Sequence, residues 1–241
     1  MRLQKGAHLL GSLHTVIMTA VRRRVYLMRH GDVAYFDAEG RPVPPDDVPL
    51  TETGRAQGRA ARAVLESEPL DRVVTSGLRR TLETAALVAP GREPDTVPEL
   101  QEMHGGRLED LPEDEAEQAF VGFFEGAIPE SRRFLGGESV GDFLDRVHPA
   151  FDAIVADQSW NTLLLILHGG VNRAILSRAL TGERVLLGGF EQAPGCINVL
   201  DLGPAGWIVR AVNVAPSDPV HRAGRETTME VLWAQYRRAS P

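Results

Sequence analysis

Two histidines in this chain stand at the end of an apolar run and directly before a glycine. Val25-Tyr26-Leu27-Met28 leads into Arg29-His30-Gly31, and Thr162–Leu167 (TLLLIL) leads into His168-Gly169-Gly170. A third run, Val73-Val74, ends at Thr75-Ser76-Gly77 and is followed at once by Leu78-Arg79-Arg80. A guanidinium forks onto an oxyanion, a neutral imidazole attacks or moves a proton near pH 7, and a glycine lets a ligand reach the backbone. If the three run ends are neighbours, two imidazoles and at least two guanidiniums share one crevice. A helix N-terminus behind each run adds partial positive charge, so the crevice suits a dianion, and phosphate best. A single histidine at such a place is ordinarily a capping or core residue. Two equivalent His-Gly pairs weigh toward a site.

The elements that must position these groups are legible from periodicity. A short apolar run with a β-branched start and a glycine stop reads as a buried strand, and its carboxyl end is where open α/β sheets build sites. Asp32–Pro49, rich in Pro, Asp and Gly, reads as a loop over the first strand end. A first helix is predicted over Thr51–Glu68, capped by Thr51, with Ala56, Ala60, Ala63 and Val64 on its apolar face. Asp71–Ser76 is a second strand, and Leu78–Ala89 a second helix with Leu78, Leu82, Ala85, Ala86 and Ala89 inward. The clearest helix begins after a Ser139 cap, with Val140, Phe143, Leu144, Val147, Phe151 and Ile154 on one face. Thr162–Leu167 is apolar on both faces and so central, and a further helix follows over Val171–Leu180. A hairpin of Cys196–Leu202 and Trp207–Val214 and a helix near Thr228–Arg238 close the chain. The expected fold is a single three-layer αβα domain with a mixed, mostly parallel sheet. Between Arg92 and Gly137 the pattern loosens, and about 102–137 reads as a lid-like insertion. Its acidic run Glu109–Glu117 reads as a solvated helix face, next to the aromatic patch Phe120, Phe123 and Phe124.

Composition narrows the partners. The 241 residues carry 26 Lys+Arg against 33 Asp+Glu, a net charge of −7, which argues against a nucleic-acid or anionic-membrane surface. One cysteine, Cys196, excludes an intramolecular disulfide and fits a reducing, cytoplasmic setting, with the thiol a buried bystander. Histidines and carboxylates show no compact ligand spacing, so neither metal nor cofactor is expected. The expected partner is a small phosphate ester, with pairing into a homodimer left open. Residues 1–23 read as a poorly ordered extension of a domain spanning 24–241, with Met18 an alternative start.

Read together, LMRHG (Leu27–Gly31), PLTETGRAQ (Pro49–Gln57), VVTSGLRRTLETA (Val73–Ala85), ELQEMHGGRLEDL (Glu99–Leu111), GGES (Gly136–Ser139) and LHGGVNRAIL (Leu167–Leu176) resemble the histidine phosphatase superfamily, also called phosphoglycerate-mutase-like. The resemblance spans roughly Val25 to Val214. It implies a phosphoglycerate-mutase-like fold, with His30 as the nucleophile that becomes phosphohistidine. Arg29 and Arg80 would then hold the phosphoryl oxygens, His168 would stabilise the transition-state charge, and Gly169 is carried with them as a phosphate-binding position. Leu100-Gln101-Glu102 matches the family's L-x-E pattern, which makes Glu102 the proton donor. Elementary chemistry agrees: phosphoryl transfer needs positioning and charge stabilisation, and the leaving alkoxide needs an acid opposite the nucleophile. Where the acid-phosphatase branch has an Asp after the second histidine, Gly169 stands here, so Glu102 is preferred and Asp32 comes second. Arg79 is read as solvent-facing. Phe36 stands where many members carry a phosphate-binding Asn, for which Asn172 or a backbone amide is the expected substitute. Gly188–Asn198 suggests no chemistry. The expected activity is hydrolysis of a small phosphomonoester. Mutase-type phosphoryl transfer is the alternative, and a non-catalytic phosphate-binding regulatory module comes third.

Overall fold

The computed structural model describes residues 22–37, 41–222 and 224–239. The three site-bearing runs are strands β1 (Arg23–Arg29), β2 (Arg72–Thr75) and β5 (Thr162–Leu167). With β3 (Asp95–Thr96), β7 (Ile197–Gly203) and β8 (Gly206–Val214) they form one sheet in the order β3-β2-β5-β1-β7-β8. β5 lies parallel to both β1 and β2, whereas β7 runs antiparallel to its neighbours β1 and β8, so the sheet is mixed and mostly parallel. Register sets Arg29 opposite Leu167 and Thr75 opposite Ile166. The three polar strand ends therefore meet side by side on one edge, which is the arrangement the site needs.

Alternation along the strands makes the layers. Val25 and Leu27 join Leu163, Leu165 and Leu167 in a core with α4 (Val140–Ala156) and α5 (Gly169–Thr181). Tyr26 and Met28 join Leu164 and Ile166 in a second core under α1 (Glu52–Leu65) and α2 (Arg79–Val88). Helices on both faces of a parallel sheet explain why β5 is apolar throughout. The predicted face of α4 is the buried one, and Ser139 caps it by accepting the Asp142 N–H.

The other two helix faces differ from expectation. α1 buries Gly54, Gly58, Ala61 and Leu65, while Ala56 and Ala63 are exposed and Val64 keeps 57 % of its surface in solvent. The reason is close approach: a Cβ on Gly54 would sit 2.2 Å from the Asp32 carbonyl oxygen. Glycine marks the contact face there, and alanine spacing misleads. α2 buries Arg80, Thr81, Thr84, Ala85 and Val88, leaving Leu82 39 % exposed, because its first turn faces a polar site and not the core. α5 starts at Gly169, two residues ahead of expectation.

In the loosened region, α3 (Glu113–Phe120) presents Glu113, Asp114 and Glu115 to solvent, and a two-strand ladder of β4 (Ala127–Ile128) with β6 (Leu186–Leu187) ties it down. The chain closes with α6 (Thr228–Ala239), whose Trp233 lies 6.3 Å from the ring of Phe120. Arg23 already pairs with Leu202 in the sheet, so the domain begins at least one residue earlier than expected. Residues 1–21 of the expected extension, Met18 included, lie outside the described residues. Among the described residues no helix is long and apolar enough to cross a membrane.

Candidate active site

His30 sits just past the end of β1, held by its own backbone. Its N–H donates to the Leu167 carbonyl and its carbonyl accepts from Gly195 N–H, both at 3.0 Å. The imidazole is 2 % exposed, with Nδ1 2.7 Å from the Gly31 carbonyl oxygen. A carbonyl only accepts, so Nδ1 carries the proton and the lone pair stands on Nε2. Burial, then the charges of Arg80 and Arg29, push the pKa of His30 well below the ordinary 6.5. Near neutral pH the ring is uncharged and its Nε2 can attack an electrophile. Gly31 is dictated by space, since a Cβ there would meet the Gly54 carbonyl oxygen at 2.5 Å.

His168, the residue before α5, faces His30 edge-on with ring centroids 5.2 Å apart. Its Nε2 shares a 2.7 Å hydrogen bond with Ser76 Oγ from the end of β2. Burial lowers its pKa well below 6.5, helped by Arg80, His30 and Arg29. Arg29 donates through Nη1 to the Gln192 carbonyl and, at 3.2 Å, to Thr228 Oγ1. Arg80 donates through Nη1 to the Pro45 carbonyl, under the ring of Tyr35. Arg79 behaves as expected: it pairs with Glu83 at 2.7 Å on the solvent side. What remains is a cluster of unmatched buried nitrogens. Arg29 Nε, Arg80 Nε and His168 Nδ1 have no partner among the described residues. Buried polar atoms rarely stay unpaired, and three such nitrogens beside a neutral imidazole can be satisfied together by one tetrahedral oxyanion.

Glu102 stands at the same helix start as His168. Both its carboxylate oxygens lie 3.1 Å from Gly170 N, in the first turn of α5, and Oε1 also accepts Met103 N–H at 3.0 Å. First-turn amides lack intrahelical partners, so a carboxylate is at home there. Arg146 on α4 fixes this loop by donating to the carbonyls of Glu99, Gln101 and Glu102 and to the Glu138 carboxylate. A Cβ on Gly170 would meet Glu102 Oε1 at 2.5 Å, while one on Gly169 would lie 3.3 Å from Arg173 Nη1 and 3.6 Å from Arg29 Nε. Asp32 is engaged elsewhere, its Oδ2 accepting the hydroxyl of Thr51 at 2.7 Å in the cap of α1.

The segment that suggested no chemistry turns out to wrap the site. Gln192 offers its carbonyl to Arg29, and its side chain bonds Asn172 at 3.1 Å and Asn198 at 2.8 Å. The Asn172 amide nitrogen gives one of its two N–H groups to Gln192, which ties this residue to the segment that wraps the site. Phe36 lies 6.3 Å from the ring of Tyr236. Ser76, from one of the three expected strand ends, and Gln192, Thr228 and Arg146 all hold groups of the candidate site, and the last three were not singled out from sequence. A polar residue inside the apolar CINVLDL run, Asn198, is the signal that was available for the last segment. Among the described residues, no three His, Cys, Asp or Glu groups converge in a way that could hold a metal ion.

The comparisons with known proteins follow the same outline. The adenosylcobalamin/alpha-ribazole phosphatase of Salmonella typhimurium is 31 % identical over 188 residues, covering 74 % of this chain and 90 % of that protein. The protein named "Probable phosphoglycerate mutase GpmB" of Yersinia pestis is 32 % identical over 167 residues, 65 % of this chain and 74 % of that one. Among solved structures, mycobacterial glucosyl-3-phosphoglycerate phosphatase complexed with VO3 superposes with a TM-score of 0.62 at 27 % identity, over 79 % of this chain and 98 % of that one. Residues 25–215 match the histidine phosphatase superfamily (branch 1), a span that runs from β1 past the last sheet strand. The chain belongs to the histidine phosphatase superfamily.

Proposed function

We propose that this protein is a phosphomonoesterase acting on a small phosphate ester through a phosphohistidine on His30. One observation carries the reading: Arg29 Nε, Arg80 Nε and His168 Nδ1 are buried without partners among the described residues, and these same three residues act on an imidazole whose free lone pair is on Nε2, His168 by ring contact and the arginines by charge. In the first step Nε2 of His30 bonds to phosphorus as the ester P–O bond breaks. Glu102 gives its proton to the departing alkoxide, and the two guanidiniums and His168 take the charge gathered on the phosphoryl oxygens. Gly169 N–H, at the head of α5, is a further donor to them. In the second step water attacks phosphorus, Glu102 takes its proton, and the P–N bond breaks to release phosphate. Every group comes from one chain, so no second copy is required. The Cys196 thiol, pushed up to about 12 by burial, takes no part, and the reading places the enzyme in a reducing compartment such as the cytoplasm.

Hydrolysis is favoured over mutase-type transfer by where the spare cations go. A mutase substrate presents a second acidic group and needs further donors. Arg107 pairs with Glu109, Arg132 donates to the Gly122 carbonyl, and Arg133 donates to the Gly137 carbonyl. The acidic residues of α3 face solvent and neither help nor hinder. A purely phosphate-binding module would have no use for the Arg146 clamp on Glu102. The test is incubation with 3-phosphoglycerate primed with bisphosphoglycerate, alongside a set of phosphate monoesters. Phosphate release without isomerisation is expected; rapid formation of 2-phosphoglycerate with little free phosphate would overturn the choice.

A further inference from the structure

A cavity of about 760 Å³ opens beside the site, with neither His30 nor His168 in its wall. Its wall includes Asp32, two residues past His30, and Thr228, which accepts the Arg29 guanidinium. The volume falls within the roughly 300–1,000 Å³ of small-molecule sites. The remaining wall comes from the loop after β1, from Glu191–Pro194 and from the chain between β8 and α6. Phe36, Pro194, Val231 and Leu232 give it an apolar side, with Phe36 backed by Tyr236.

Charge is distributed unevenly between the two halves of this space. The phosphoryl end holds Arg29 and Arg80. The cavity itself is lined by the carboxylates of Asp32, Asp37, Glu191, Asp218 and Glu226, against the single guanidinium of Arg238. Asp37 is offset by Arg41, Glu191 lies 3.6 Å from Arg173 and Asp218 has an interaction of its own, while by residue type the lining holds these carboxylates with Asp32 and Glu226 against Arg238. The titratable group His221 also faces the cavity, with its Nε2 3.0 Å from the Asn213 carbonyl.

Resting on the phosphatase reading, we infer that this cavity receives the alcohol half of the substrate. The substrate class is then a phosphomonoester whose phosphoryl group is its only anion. Its leaving alcohol is bulky, has an apolar face and is neutral or cationic. A carboxylate or second phosphate on that alcohol would enter a field of its own sign. Phe36 supplies the wall nearest the loop after β1 with an apolar surface and no anion donor, which points the same way.

A charge series of benzyl phosphates tests this in the full chain, because remote substituents leave the leaving-group chemistry nearly constant. Phosphate release is followed from benzyl phosphate, its 4-carboxy derivative and its 4-trimethylammonium derivative. The carboxylate ester is expected to show kcat/KM lower by about tenfold, carried by KM and shrinking at high salt, as a field of nearby charges requires. The paired substitutions Asp218→Asn and Glu226→Gln are expected to narrow the gap several-fold. Equal or faster turnover of the carboxylate ester, or a gap that the paired substitutions leave unchanged, overturns the inference while leaving the phosphatase standing. No release from any of the three esters by folded protein overturns the phosphatase reading itself.

Discussion

At the scale of single residues, the proposed chemistry divides between a nucleophile that must be neutral and an acid that must be held still. His30 has its lone pair on Nε2 because Gly31 takes the proton side, and burial with two guanidiniums keeps it uncharged. Rapid quenching with substrate should trap phosphate on nitrogen, labile to acid and stable to alkali, in wild type and not in His30→Ala. Turnover at wild-type rate by His30→Ala would end the assignment. Glu102 is gripped through Gly170, Met103 and the Arg146 clamp. Glu102→Gln should slow alkyl phosphates by about two to four orders of magnitude, the usual share of general acid catalysis. Aryl phosphates with good leaving groups should lose far less in the first step. An equal loss for both would make Glu102 a binding or structural residue. The histidines, Arg29 and Arg80 were legible in sequence because each follows or opens an element with a strong signature. Gln192 and Thr228 were not, because they reach Arg29 across 163 and 199 residues by contacts that no local pattern encodes.

At the scale of elements, strands and the α4 face were readable because apolar side chains repeat at the period of the structure they form. The faces of α1 and α2 were misread for two opposite reasons. α1 packs by glycine, so its contact face is the one with the least side chain, and α2 turns its polar first turn inward to serve the site. The same close packing makes a prediction. β1 and α1 meet through Gly31 and Gly54, each facing the other segment's backbone. Gly54→Ala forces a methyl against the Asp32 backbone and must push α1 away from the His30 strand end. Overpacking of this kind costs about 1–3 kcal/mol, and at this size about 2–4 °C in thermal midpoint accompanies each kcal/mol. Calorimetry should show that loss, with kcat falling more than KM rises because His30 shifts before phosphate binding is lost. A variant as stable and active as wild type would mean that the contact is loose in solution.

At the scale of the whole molecule, the sheet order is what turns three scattered tripeptides into one site, and it was only conditionally legible. Sequence showed three comparable strand ends; that β5 lies between β1 and β2 follows from long-range pairings, Arg24 with Thr162 and Arg72 with Leu163, that no local pattern encodes. Gathering these groups also stores an electrostatic cost in the fold. His30, His168 and His148 all have pKa values lowered in the folded chain, each chiefly by burial. The unfolded chain binds protons at these three positions near pH 6.5 and the folded chain does not. Stability is therefore complete above that pH and falls as the pH drops below it. The lowered carboxylates of Asp201, Glu138 and Asp71 lose their contributions further down, beginning as the pH falls through the ordinary carboxylate range and ending below it. The window between about pH 6.5 and 5 accordingly belongs to the histidines. On the proposed site, sulfate, dianionic throughout that window, is expected to pair with Arg29 and Arg80 and to offer an oxygen to His168 Nδ1, so its binding should oppose the loss. A saturating anion at a hundred times its Kd adds about 2.7 kcal/mol, and uptake of a proton by His168 makes the gain larger in acid. Thermal midpoints measured at pH 8 and pH 5, with sulfate against chloride of equal ionic strength, should show the greater sulfate-induced rise at pH 5. The excess should shrink in His168→Gln, and a rise that is the same at both pH values would show that the buried histidines do not set the anion's affinity.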